Sequence, residues 1–78
     1  MRIRVKVPRL GLTIEEVTLA SWERRAGATV AEGETIAVIE ADKASYDLVA
    51  PAAGTLVETT CAQGDVVPVG ETVAIIAT

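Results

Sequence analysis

Displaced by 37 residues, the chain falls on itself. Thr18-Leu19 lands on Thr55-Leu56, Gly27 on Gly64, Val30 on Val67, Gly33-Glu34-Thr35 on Gly70-Glu71-Thr72, Ala37 on Ala74 and Ile39 on Ile76. Nine of the 22 positions from 18 to 39 are identical, and Ile36/Val73 and Val38/Ile75 exchange one β-branched residue for another. A solenoid needs about three or more stacked units. Two copies in 78 residues must therefore face each other and bury one shared core.

The copies are written for strands. Val, Ile and Thr supply 26 of the 78 residues, and their restricted χ1 suits a pleated surface better than a helix. Arg2-Ile3-Arg4-Val5-Lys6-Val7 alternates charge with hydrophobe, so odd positions face a core and even ones water. The pattern predicts further strands at 17–23, 28–30, 35–41, 45–49, 55–60, 66–67 and 72–77. Glycines at 27, 33, 54, 64 and 70 punctuate them, as turns that need positive φ require. The expectation is an all-β single domain over 1–78: a flattened β-barrel or sandwich of two roughly four-stranded antiparallel sheets with pseudo-twofold symmetry. Trp22, the one large side chain, anchors one edge.

Composition removes several functions. There is no histidine, which excludes Ser-His-Asp and Cys-His nucleophile pairs and the commonest metal ligand. Seven basic groups against eleven acidic ones give a net charge of −4, unsuited to a phosphate backbone, so no nucleic acid is expected. Cys61 is the only cysteine, so neither an internal disulfide nor a Cys-based metal cluster can form. It aligns with Arg24 in the repeat, an outward or edge position with no basic neighbour to activate a thiol. No apolar run is long enough for a signal peptide or a membrane span. A reducing, cytoplasmic setting is expected, or a mitochondrial matrix if a transit peptide has been removed ahead of this numbering.

What the repeat does not repeat is more informative. The first copy runs on through Glu40-Ala41-Asp42-Lys43-Ala44-Ser45, whereas the second stops at Ala77-Thr78. Residues 26–78 hold eight acids and a single base, Lys43. It falls at the crest of a hairpin, and Asp-Lys is not the Asn-Gly or Asp-Gly pair of a tight two-residue turn, so a type I turn or a slightly longer loop is expected. Lys43 is either a solvated turn residue countering Glu40, Asp42 and Asp47, or a lysine placed there for its amine.

With these residues in place the chain resembles the lipoyl domains of the dihydrolipoamide acyltransferases of 2-oxo acid dehydrogenase complexes. Those domains carry lipoic acid on the lysine of a Glu-Thr-Asp-Lys-Ala hairpin, where this chain has Glu40-Ala41-Asp42-Lys43-Ala44. The resemblance spans essentially the whole sequence: Val7-Pro8-Arg9-Leu10-Gly11 at the start, Trp22, Gly27 and Gly54 around the lysine, and Gly64-Asp65, Val67 and Gly70 at the close. It departs at Ala41, where Thr is usual and where recognition by the attaching enzyme could weaken slightly, at Val17, and at Ala28, which lacks the Asp that often follows Gly27. Biotinyl domains share the architecture, but their lysine usually sits in Ala-Met-Lys-Met, and the only methionine here is Met1.

The resemblance implies a carrier, not an enzyme in its own right, within a parent acyltransferase. Lipoic acid would be amide-linked to Lys43, with Glu40, Asp42 and Ala44 recognised around the modified turn. Three nearby carboxylates favour the ammonium form of an amine, so a separate lipoyl-attaching enzyme is implied. A thiamin-diphosphate 2-oxo acid decarboxylase would acylate the strained dithiolane, an acyltransferase core would pass the acyl group to coenzyme A, and a flavin-dependent dihydrolipoamide dehydrogenase would reoxidise the dithiol. Residues 8–16 would lie beside the hairpin. Within them Leu10, Leu12 and Ile14 either contact the decarboxylase or tuck over the sandwich edge. Leu10-Gly11-Leu12-Thr13-Ile14 is closer to the pyruvate and acetoin branch than to the 2-oxoglutarate branch. An unmodified β interaction module that shares only the fold is the competing reading.

Overall fold

A computed structural model describes residues 1–9, 14–41 and 44–78. Among the described residues there is no helix, and eight strands follow in order: β1 (Arg2–Lys6), β2 (Glu16–Trp22), β3 (Thr29–Val30), β4 (Thr35–Ala41), β5 (Ala44–Val49), β6 (Gly54–Thr59), β7 (Val66–Pro68) and β8 (Thr72–Ala77). They form two four-stranded antiparallel sheets, ordered β1-β8-β6-β3 and β5-β4-β2-β7. The sheets pack as a sandwich and do not close into a barrel, which resolves the two forms the sequence left open.

The 37-residue repeat is the pseudo-twofold of this sandwich. It carries β2, β3 and β4 onto β6, β7 and β8, and β1 holds beside β8 the place that β5 holds beside β4. Each copy gives its short third strand to the other sheet, β3 pairing with β6 and β7 with β2. Neither copy can thus complete a sheet alone. The repeat identities are largely the core: Leu19 and Leu56, Val30 and Val67, Ala37 and Ala74, Ile39 and Ile76, and the similar pair Ile36 and Val73 are all buried. Fully burying each Leu, Ile or Val is worth about 1.5–3 kcal/mol. No polar or charged side chain is buried with them among the described residues.

Of the remaining identities, the glycines and Glu34/Glu71 make turns. Ala28 N–H bonds to Arg25 O, Glu34 N–H to Ala31 O, Asp65 N–H to Ala62 O and Glu71 N–H to Pro68 O, at 3.0–3.1 Å. The third residue of each turn is Gly27, Gly33, Gly64 or Gly70, with φ between 83° and 99°, the type II arrangement that only glycine enters without strain. Gly54 differs from its expected role. It lies within β6 and has no positive φ; instead, a Cβ there would sit 2.3 Å from Ala77 O and 2.8 Å from Ile76 Cγ2. Its requirement is close approach of β8, not a turn.

The symmetry is broken in how the turns are capped. Glu34 Oε1 accepts from Ala31 N–H at 3.0 Å, whereas its counterpart Glu71 faces Pro68, which has no N–H to offer. In the second copy Asp65 Oδ2 does the work, accepting from Ala62 N–H at 2.9 Å. Trp22 is half-buried and donates from Nε1 to Cys61 O at 2.9 Å. It thereby ties the β2–β3 connection to the β6–β7 connection, the edge role expected of it. The half-buried Cys61 packs against the core.

Two predictions follow from these local constraints. Gly54→Ala should lose about 1–3 kcal/mol by overpacking against β8, and Gly33→Ala about 1 kcal/mol through its φ, both read from urea midpoints. Glu34 is held below the usual carboxylate range, chiefly by the Ala31 N–H bond; desolvation opposes this and the Arg24 guanidinium adds to it. A depressed carboxyl stabilises the fold above its unfolded value and stops doing so as pH falls through the folded one. Glu34→Gln keeps an acceptor for Ala31 but removes the charge. Its deficit relative to wild type in pH-dependent melts should be constant above the ordinary value of 4.5 and vanish in stronger acid.

Candidate functional site

The site is assembled at one end of the sandwich, and the strand registers say which. β4 and β5 pair from Thr35↔Val49 to Ala41↔Ala44, so the antiparallel ladder runs up to the two residues that join them. β2 pairs with β4 through Thr18↔Glu40, which carries Glu16 toward the same end. β7 pairs Pro68 with Glu16, and the turn after Pro68 leads into Thr72, which pairs with Lys6. The end of β1, the start of β2 and the β4–β5 junction therefore share one end. At the other end Arg2 pairs with Ala77, and Thr78 N–H donates to Met1 O at 2.9 Å. The junction occupies the place that the symmetry gives to the two chain termini.

Asp42 and Lys43, the centre of the expected site, lie outside the described residues, as do Leu10 and Leu12. What is described is their frame. Glu40 is exposed and paired with exposed Ser45; Val38 pairs with exposed Asp47. Ala44 is exposed at the first position of β5. Ala41 is 4% exposed and belongs to the core. A partner at the surface cannot touch its side chain, so the sequence-level expectation that Ala in place of Thr alters recognition by an attaching enzyme has no direct contact behind it. Ile14 is half-buried and packs against the core at this end.

Sequence reasoning did not single out Glu16 as a site residue. It is exposed and lies two residues along β2 from Thr18, the partner of Glu40, which sets it diagonal to Glu40 on the same face. Only the pairing of strands far apart in sequence reveals this, because residue 16 precedes the lysine by more than twenty positions. Glu16, Glu40 and Asp47 give the sheet around the junction an acidic outer face. No His/Cys/Asp/Glu group suited to a metal ion occurs among the described residues.

A sandwich with repeated halves and a lysine between β4 and β5 is the layout that the sequence resemblance implies for a prosthetic-group carrier domain. Known proteins agree. The family described as "Biotin-requiring enzyme", the biotin/lipoyl family, matches residues 3–76. The solution structure of the lipoyl domain of the Azotobacter vinelandii 2-oxoglutarate dehydrogenase complex superposes with a TM-score of 0.80 at 32% identity, covering 97% of this chain and 96% of that one. The succinyltransferase component of the 2-oxoglutarate dehydrogenase complex of Staphylococcus saprophyticus is 40% identical over 92% of this chain and 17% of its own length. The acetyltransferase component of the Acholeplasma laidlawii pyruvate dehydrogenase complex is 42% identical over 86% of this chain and 12% of its own. That of the Bacillus subtilis acetoin cleaving system is 32% identical over 97% and 19%. The chain belongs to the biotin/lipoyl family and, within it, is a lipoyl domain of the kind found in acyltransferase components of 2-oxo acid dehydrogenase complexes. It spans less than a fifth of the length of these acyltransferase relatives.

The burial contrast at the junction is testable. Ala41→Leu should cost about 1–3 kcal/mol by overpacking the core end of β4, whereas Ala44→Leu, at the exposed start of β5, should stay within about 0.5 kcal/mol of wild type. Chemical denaturation of the two variants in parallel checks this.

Proposed function

We propose that Lys43 bears lipoic acid in amide linkage and that the domain is the swinging arm of an acyltransferase component. The observation that carries this reading is the β4–β5 ladder. It is paired to its last described residues, Ala41↔Ala44, so the lysine joins two stiff strands at one end of a rigid sandwich. An arm on such a base is presented in a narrow range of orientations, and tethering keeps it at a local concentration reaching millimolar for short linkers. Glu40, Asp42 and Ala44 form the surface by which an attaching enzyme recognises the turn.

In this role the dithiolane of the arm accepts an acyl group from a thiamin-diphosphate decarboxylase, delivers it to the acyltransferase core, and is reoxidised by dihydrolipoamide dehydrogenase. Leu10, Leu12 and Ile14, on the segment that leaves and re-enters the sandwich at the Lys43 end, are the decarboxylase contacts. Leu10-Gly11-Leu12-Thr13-Ile14 favours pyruvate or acetoin as the source of the acyl group. A bacterial cytoplasm, or a mitochondrial matrix, is the compartment.

Intact mass after co-expression with a lipoylating enzyme tests the carrier. One lipoyl adduct is expected on wild type and on Lys6→Ala, and none on Lys43→Ala. A biotin adduct, or an unmodified chain where a known acceptor is fully lipoylated, would overturn it. Reductive acylation of the lipoylated domain by pyruvate, acetoin and 2-oxoglutarate decarboxylases then separates the branches.

A further inference from the structure

Three of the seven cationic side chains, Arg2, Arg4 and Lys6, alternate along β1, and all three are exposed. Among the described residues β1 is the edge of its sheet and pairs only with β8. Which main-chain groups face the free side follows from the last pair of that ladder. Thr78 N–H donates to Met1 O at 2.9 Å, and the Met1 amino group donates to Thr78 O at 3.3 Å. Met1 and Thr78 thus exchange both bonds. Such pairs alternate along an antiparallel ladder, so Ile3↔Ile76 and Val5↔Ala74 bond inward, and Arg2 and Arg4 turn N–H and C=O away from β8. The register shifts after Val5. Val7 then bonds inward again, donating to Glu71 O at 3.1 Å and accepting from Gly70 N–H at 2.9 Å, which leaves Lys6 outward too.

Each outward main-chain site therefore sits beside a cation. The residues across the ladder, Ala77, Ile75 and Thr72, carry no charge to satisfy them. Of the other edges, β3 has two residues, and β7 has three and ends on Pro68, which cannot donate to a ladder; β5 is as long as β1 but carries Ser45 and Asp47 at exposed positions, not cations.

We propose that β1 is a docking edge for an extended acidic segment of a partner polypeptide, which adds to the sheet beside β1 with its carboxylates over Arg2, Arg4 and Lys6. Strand addition draws affinity from main-chain bonds and specificity from alternate side chains, and both are on offer here at the same residues. A second copy pairing through the same strand is the wrong occupant, since β1 against β1 sets cation against cation. A nucleic acid cannot complete the ladder and meets a chain of net charge −4. The same three charges thus repel self-pairing and select an acid. This surface does not depend on Lys43 or its modification.

The test is a titration of the 15N-labelled chain with a capped peptide of alternating Glu and Val, followed by amide shifts and hydrogen exchange. Expected are shifts along β1, new protection of the Arg2 and Arg4 amides, and weaker binding as salt rises. Reversing all three charges (R2E, R4E and K6E) should weaken binding about tenfold, the combined worth of three exposed ion pairs. In unaltered protein, a peptide N-methylated on its pairing side should fail to bind, which tests the ladder even if the triple variant folds poorly. No β1 shifts at millimolar peptide, undiminished binding of the N-methylated peptide, or equal binding of a single-stranded oligonucleotide would each overturn the proposal.

Discussion

Neither half of this chain can bury its own apolar face. β2 and β4 make a two-stranded ribbon whose inner side, Leu19, Ile36, Ile39 and their neighbours, is covered only when β6 and β8 lie over it with Leu56, Val73 and Ile76. β3 and β7 then cross over, so each sheet is finished by a strand from the opposite copy. A chain of this size buries only about 60% of its unfolded surface, and isolated strand pairs are marginal in water. Mutual completion makes folding of the two copies one event, and it fixes the relation between the ends of the molecule.

From that relation the position of the site follows. A twofold of this kind assigns equivalent places to the end of β4 and the end of β8. At the β8 end the chain stops and is held to Met1; at the β4 end it continues into β5. The β4–β5 connection is therefore set apart from the termini along the length of the sandwich. On the proposed reading, an arm mounted there lies at the end of the sandwich opposite Met1 and Thr78. The other departures from symmetry, Glu34 and Asp65 as alternate turn caps and Trp22 where the second copy has Thr59, adjust stability without disturbing this layout.

Much of this was legible in the residues. Alternation and β-branching placed all eight strands to within one residue at either end, and the repeat foretold both sheets and the buried pairs, because identity persists where two copies must fit one core. The misses share a cause. Gly54 looked like a turn because its constraint comes from Ala77, more than twenty residues away. Ala41 looked like part of a recognition motif because sequence adjacency to Lys43 conceals the pleat, which turns it inward. Glu16 was overlooked because only the β2–β4 register, which pairs Thr18 with Glu40, sets it diagonal to Glu40. Sandwich against barrel is decided by which edges pair, and no local pattern encodes that. Lys43, Asp42, Leu10 and Leu12 lie outside the described residues and rest on the resemblance.

The two long edge strands show how one architecture used twice can be given two roles. β1 and β5 are symmetry mates at the outer margins of their sheets, each with alternating exposed positions. On β1 those positions hold Arg2, Arg4 and Lys6; on β5 they include Ser45 and Asp47, beside Glu40. The ladder geometry is indifferent to this choice, since outward side chains contribute little to packing. Charge is free to diverge where the core is not. The fold thus holds the repeat's apolar residues constant while its edges acquire opposite electrostatic character, so that a partner approaching one margin meets a field unlike that at the other. A small domain can in this way present distinct surfaces to more than one neighbour within a single assembly.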